Sequence, residues 1–182
     1  MSSASTSTAY GRPCSRTTER AVILRRRRPV AFQRDGDQTL IRLGEEERSM
    51  LVDLAEQFRS VVDDDHDPGL RRLYPTAYPD DPDRDADYAG LVHDDLVQLR
   101  LEAAATVEAT AGSPSLTDDE LAAWMQVLNG LRLLLGTRLD VSEEDQFDPE
   151  ADDAPARALL AWLGFLLEEA VVAARKPGGT NA

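Results

Sequence analysis

Residues 116–139 read LTDDELAAWMQVLNGLRLLLGTRL, and this stretch predicts the central helix of the protein. Thr117, followed three residues later by Glu120, is the pattern of a capping box at a helix start. Apolar residues then recur every three or four positions, which is the helical period: Leu121, Trp124, Leu128, Leu131, Leu135 and Leu139. Leu133 and Leu134 widen the apolar arc. A helix that is apolar on nearly all sides is typical of the middle of a bundle.

Three further helices are predicted around this one, over residues 45–62, 85–111 and 154–175. Their inward stripes are Met50, Leu51, Leu54, Phe58, Val61 and Val62; Tyr88, Val92, Leu96, Leu99, Ala103 and Val107; and Leu159, Trp162, Leu163, Leu166, Ala170 and Ala173. Two short runs, residues 30–32 and the alternating residues 39–43, flank the turn signal Asp35-Gly36 and predict a hairpin. The predicted fold class is mainly α, a four-helix bundle-like domain with a short N-terminal β-hairpin packed on it.

Composition and charge divide the chain of 182 residues into a basic tail and an acidic body. Residues 1–34 hold eight arginines and one acidic residue, a net charge of +7, whereas the whole chain carries −14. We predict a disordered basic tail over residues 1–28, one helical domain over 29–175 and a disordered C-terminal tail over 176–182. An acidic body repels phosphates, so it is not typical of a domain that binds duplex DNA.

Cys14 is the only cysteine, so an internal disulfide and a zinc site built on cysteine pairs are both excluded. We expect a reducing compartment, no membrane span and a cytoplasmic protein. Arg12 and Arg16 flank Cys14, and nearby cations favour the reactive thiolate, which makes Cys14 a candidate redox thiol. An incidental cysteine is the favoured interpretation, because water screens these charges in a flexible tail.

A metal-dependent enzyme is one alternative function. The acids in residues 83–88 alternate as in a calcium-binding loop, but Tyr88 stands where that loop needs glycine. His66 and His93, the only histidines, lie beside aspartates, yet no nucleophile or phosphate loop accompanies them. We therefore favour solvated acids and exposed histidines, and we predict no catalytic residue, metal or cofactor.

A second alternative is direct DNA binding through the arm Arg25, Arg26, Arg27 and Arg28, which could grip phosphates or an acidic protein partner. Tyr74 and Tyr78 each precede a proline, in a segment that prolines keep from continuing as a helix. We expect this pair to fold over the bundle, and they are candidates for a partner surface. Trp124 and Trp162 fall on inner stripes, which favours core packing.

Residues 124–139, which run from Trp124 through Asn129, Arg132 and Gly136 to Arg138 and Leu139, resemble the signature of the DUF2017 family of actinobacterial proteins. Residues 78–82 and 161–166 support the resemblance, which covers about residues 29–174. Some members are AosR-like oxidative-stress transcriptional regulators. The resemblance implies a non-enzymatic helical regulator with a protein partner in the transcription machinery, a sigma factor or RNA polymerase. A regulator that senses oxidants is expected to use two thiols, whereas this chain has Cys14 alone.

Asn129, Arg132 and Arg138 form a candidate polar cluster with either a partner-binding or a structural role. Asn129 and Arg132 lie three residues apart and so share one face of a helix. We favour a structural role, in which the arginines pair with acids from residues 63–67 or 143–145, because half-buried arginine requires carboxylate partners.

Overall fold

The computed structural model describes residues 30–62, 64, 67–142 and 148–175. In chain order the elements are β1 (Phe32–Asp35), β2 (Gln38–Ile41), α1 (Glu45–Val62), a 3-10 helix (Pro68–Arg72), α2 (Pro82–Thr110), β3 (Ser115–Leu116), α3 (Asp118–Arg138) and α4 (Ala154–Ala174). The predicted class is confirmed: four helices dominate, and a short antiparallel hairpin packs on them through β1 and α4. The predicted tails lie outside the described residues.

The hairpin forms where the turn signal predicted it, with Gly36 at a positive φ of 58° between the strands. Phe32 pairs with Ile41, and Asp35 pairs with Gln38. The first strand begins two residues later than expected. The third strand, β3, was not predicted: Leu116 pairs with Thr39 of β2 to give the order β1-β2-β3. A two-residue strand has no periodicity of its own, so only its distant partner defines it.

Helix α1 has the predicted bounds, and three glutamates occupy its first turn, where the helix dipole favours acids. Its fully buried residues are Leu51, Ala55, Phe58 and Val62. Met50, which was predicted to face inward, is instead 46% exposed. It lies one position before Leu51, on the edge of the apolar arc, where no other element covers it.

Helix α3 is the centre of the bundle, with α4 and α2 against it and the sheet at its N-terminal end. The predicted capping box is present: Thr117 Oγ1 accepts from Glu120 N at 3.2 Å, and Thr117 N donates to Glu120 Oε2 at 2.7 Å. The Trp124 side chain is fully buried, as expected, whereas Trp162 on α4 is half-buried against the core.

Helix α2 begins at Pro82, three residues before the predicted start, because Pro82 fits the first helical turn and the Asp81 carboxylate caps Arg84 N. Its predicted inward stripe is only half correct. Ala103 and Val107 are buried, but between residues 82 and 102 no residue is fully buried. The N-terminal half of α2 therefore carries apolar side chains that no described element covers.

Two glycines in helices give opposite stability predictions. A Cβ added at Gly130 would lie 2.5 Å from Phe58 Cζ, inside the packed core. We expect Gly130→Ala to lower the free energy of unfolding by about 1–2 kcal/mol, because overpacking outweighs the gain in helix propensity. The matched control is Gly90→Ala on α2, where nothing lies within 4 Å, and it should raise that free energy by about 0.5–1 kcal/mol. Urea unfolding measures both, and a stabilised Gly130→Ala would contradict this packing.

Candidate functional site

The tyrosine loop, residues 73–81, is fixed to the start of α2 by one carboxylate. Asp85 Oδ1 accepts hydrogen bonds from Ala77 N at 2.7 Å and from Tyr78 N at 3.0 Å. The aspartate-rich run was predicted to be a helix start with solvated acids, and the helix start is confirmed. Asp85 adds a structural role, because it satisfies two loop amides that would otherwise need water.

Aromatic and cationic contacts hold the tyrosine loop along α2. The Tyr74 ring lies 4.9 Å from the His93 ring, and the Tyr78 ring meets the Tyr88 ring edge-on at 5.8 Å. Arg84 lies over Tyr78 at 4.1 Å from the ring centroid. Such contacts contribute about 0.5–1.5 kcal/mol each. The loop therefore folds over the bundle, as predicted for the tyrosine-proline pairs.

Arg100 joins the tyrosine loop to the middle of α2. Its guanidinium lies 4.6 Å from the Tyr74 ring centroid, and its Nη2 donates to the Leu73 carbonyl at 3.0 Å. The sequence offers no signal for this role, because the arginine sits among helical residues with no motif around it. The loop position thus depends on an arginine 27 residues further along the chain.

The α2 face is the group of apolar side chains that this loop leaves uncovered. Four large ones are exposed within twelve residues: Leu91 at 79%, Leu99 at 54%, Tyr88 at 44% and Leu96 at 37%. Val92 lies half-buried between them. Burying a side chain of this size contributes about 1.5–3 kcal/mol, so leaving four in water is unfavourable for an isolated chain. Clusters of this kind mark interaction surfaces.

Two clefts border the α2 face. One, of about 340 Å³, lies between the tyrosine loop and α2, and Tyr74, Tyr88 and Leu96 line it. The other, of about 260 Å³, lies between α2 and α3, with Leu99 and Asn129 in its wall. Leu73 and Leu96 line both clefts. The structure thus brings three of the candidate residues, Tyr74, Tyr78 and Asn129, to one side of the molecule.

The two candidate arginines lie elsewhere. Arg138 Nη2 donates to Asp67 Oδ2 at 2.7 Å, so this arginine pairs with the acidic run after α1, as expected. Arg132 lies against α4, where its Nε would be 3.5 Å from a Cβ built on Gly164. The acids at residues 143–145, the other expected partners, lie outside the described residues. Arg132, Arg138 and Asn129 therefore do not form a single cluster.

The Gly69 amide and Arg138 together lower the pKa of Asp67 below its ordinary value. Because the folded-state pKa is depressed, the stability contributed by Asp67 is present above the unfolded-state pKa and is lost as the pH falls through the folded one, below about pH 4. We expect Asp67→Asn to reduce the free energy of unfolding at pH 7, and to differ less from the wild type below pH 4. Thermal unfolding across pH measures this.

Asp140→Asn is the control for that measurement. Asp140 pairs with Arg71 at 3.2 Å, but its side chain is 87% exposed, and such ion pairs contribute little. Its unfolding should follow the wild type at every pH. A constant difference between Asp67→Asn and the wild type down to pH 2 would contradict the role assigned to Asp67.

The remaining candidates give no assembled metal site in the described part of the chain. His93 packs on Tyr74, and within residues 30–62, 64, 67–142 and 148–175 no three His, Cys, Asp or Glu side chains are placed to hold a metal ion. Cys14, His66 and the arm Arg25, Arg26, Arg27 and Arg28 lie outside the described residues. None of the helices described has the length and apolar character that a membrane crossing requires.

The fold and the exposed α2 face define the class of this protein: a four-helix domain with an apolar surface on one helix. The family model for a domain of unknown function, DUF2017, matches residues 27–174. The chain belongs to the DUF2017 family. No curated protein and no solved structure matches it.

Proposed function

We propose that this DUF2017 protein is a cytoplasmic, non-enzymatic regulator that works by contacting other proteins. The α2 face carries the proposal, because four exposed large apolar side chains on one helix are costly in water and are typical of an interaction surface. The tyrosine loop supplies Tyr74 and Tyr78 beside this face, and Arg100 of α2 and Asn129 of α3 also lie next to it. Tyrosine and arginine are enriched at interfaces.

The proposed partner is the transcription machinery, a sigma factor or RNA polymerase, during oxidative stress. This part rests on the resemblance to AosR-like regulators of actinobacteria. With Cys14 as the only thiol, an internal disulfide has no role in it. Sensing through an intermolecular disulfide, or by the partner, would fit the chain.

Affinity capture tests this proposal. The full-length protein and a version that starts at Pro29 are used side by side as bait in lysates of oxidised and unstressed cells, and RNA polymerase subunits and sigma factors are identified by mass spectrometry. We expect both baits to recover a transcription component. Recovery by the full-length bait alone would assign the contact to the arginine arm instead. Recovery by neither bait, together with no binding to purified RNA polymerase, would refute the proposed function.

A further inference from the structure

The apolar residues of the α2 face lie in two neighbouring rows. Tyr88, Val92 and Leu96 are spaced by four residues and form the inner row, beside the tyrosine loop. Leu91, Asp95 and Leu99 have the same spacing and form the outer row. Residues three or four apart are neighbours on a helix surface, so the two rows make one continuous band. At 1.5 Å per residue the band is about 16 Å long, or three helical turns.

Four residues of the band, Tyr88, Val92, Leu96 and Leu99, line a groove, and the exposed Leu91 and Asp95 lie outside its lining. The cleft beside the tyrosine loop and the cleft beside α3 share Leu73 and Leu96 in their linings, so they are neighbours along α2 and together make up the groove. The tyrosine loop is one wall, and Asn129 and Leu133 of α3 belong to the other. A groove of three turns with an apolar floor matches the way an amphipathic helix is bound, with its anchors at every third or fourth residue.

The charge around the groove selects among occupants. Residues 80–99 hold seven aspartates and one arginine, a net charge of −6 with histidine neutral. Asp95 is exposed in the middle of the outer row, between Leu91 and Leu99. A second copy of the chain would bring the same negative charge against itself, and like charges in contact oppose association. A cationic partner complements this surface.

We propose that the α2 face binds a basic amphipathic helix of another protein, with apolar anchors on the two rows and a lysine or arginine opposite Asp95. This inference rests on the proposed function for the idea that the face has a protein partner. It adds the secondary structure of the bound segment, its charge and the residues that it contacts.

Model peptides test this inference on the full-length protein. One helical peptide of about 18 residues carries leucines on one face and lysines on the other, a second has glutamates in place of the lysines, and a third is a scrambled leucine-lysine peptide. The scrambled peptide controls for attraction to the net charge of −14. Fluorescence anisotropy should show that the first peptide binds at least about tenfold more tightly than either of the others.

Matched variants locate the binding. We expect L91D/L99D to weaken binding of the first peptide by at least about tenfold. V171D/V172D on α4 adds the same charge at side chains that are 41% and 61% exposed, and it should leave the affinity within about twofold. D95K should weaken the lysine peptide and strengthen the glutamate peptide. Equal losses in both double variants, or equal binding of the scrambled peptide, would overturn the inference.

Two other occupants would also overturn it. Sedimentation that shows a wild-type dimer and an L91D/L99D monomer would assign the face to a second copy. A large gain in peptide affinity on removal of residues 1–28 would assign it to the arginine arm.

Failure of the proposed function looks different: the first peptide would bind through Leu91 and Leu99, while RNA polymerase and sigma factors would not bind at all. Capture of a transcription component equally by the wild type and L91D/L99D would refute the groove and keep the function.

Discussion

Replacing Trp124 with alanine should lower the free energy of unfolding by about 3–5 kcal/mol, among the largest effects of any single substitution in this protein. Its side chain is fully buried, and its ring meets Phe32 edge-on at a centroid distance of 5.7 Å. The indole Nε1 also donates to Thr110 Oγ1 at 2.9 Å. One residue of α3 therefore holds both the hairpin and the end of α2, and alanine would leave a large cavity where they meet.

Urea unfolding followed by circular dichroism measures this loss, and two variants separate its causes. Trp124→Phe keeps most of the packing but removes the hydrogen bond to Thr110, so it should lose clearly less than alanine does. Trp162→Ala removes the same side chain from a half-buried site on α4 and should cost about half as much. Equal losses at Trp124 and Trp162 would contradict the central position of Trp124.

The second large effect is expected at Arg48, which binds the sheet region to the end of α2. Its guanidinium donates to four main-chain carbonyls: those of Leu43 at 3.0 Å, Ile41 at 3.0 Å, Ala111 at 2.6 Å and Ser113 at 2.7 Å. Two of these carbonyls come directly after α2, where the helix dipole favours a cation. Arg48→Ala should lower the free energy of unfolding by about 2–4 kcal/mol, because hydrogen bonds from a charged donor are strong and part-buried carbonyls lose their partners.

Two variants serve as controls for Arg48→Ala: one removes a nearby exposed arginine, and the other keeps the positive charge at position 48. Arg42→Ala removes an exposed arginine whose Nη2 donates to Gln33 Oε1 at 3.2 Å, so it should change stability by no more than about 0.5 kcal/mol. Arg48→Lys keeps the charge but loses the planar fork, and it should recover less than half of the loss. Full recovery by lysine would show that charge alone, rather than the four directed hydrogen bonds, matters at this position.

Helix positions were predictable where local chemistry sets them. The capping box at Thr117 and the glutamates of α1 mark helix starts, and both were found in the structure. The role of Arg48 was not predictable, because its four acceptors come from two separate segments of the chain, residues 41–43 and 111–113. The strand β3 escaped prediction for the same reason, since its pairing with Thr39 is not local.

The α2 face shows the limit of periodicity. A repeat of three or four residues indicates which side chains share a face of a helix, but not whether another element covers that face. Tyr88, Leu96 and Leu99 were predicted to point into the core and are exposed. Leu91 was not part of the predicted inward stripe. The sequence indicated its exposure only by placing an apolar residue among aspartates on the polar side of the helix. Asn129, Tyr74 and Tyr78 lie next to this face, and their role as partner-binding residues stays a prediction.

The uncovered half of α2 has a consequence for the dynamics of the chain. Amide hydrogens in a helix exchange with solvent when the helix opens locally, and opening costs little where few buried contacts must be broken. Between residues 82 and 102 no side chain is fully buried, whereas α3 buries nine of its residues. The first turns of α2 should therefore open many times for each global unfolding event, while the amides of α3 exchange only when the whole domain unfolds. The amides of α3 should thus be strongly protected from hydrogen exchange, and those at the start of α2, the helix that carries the exposed leucines, should be weakly protected.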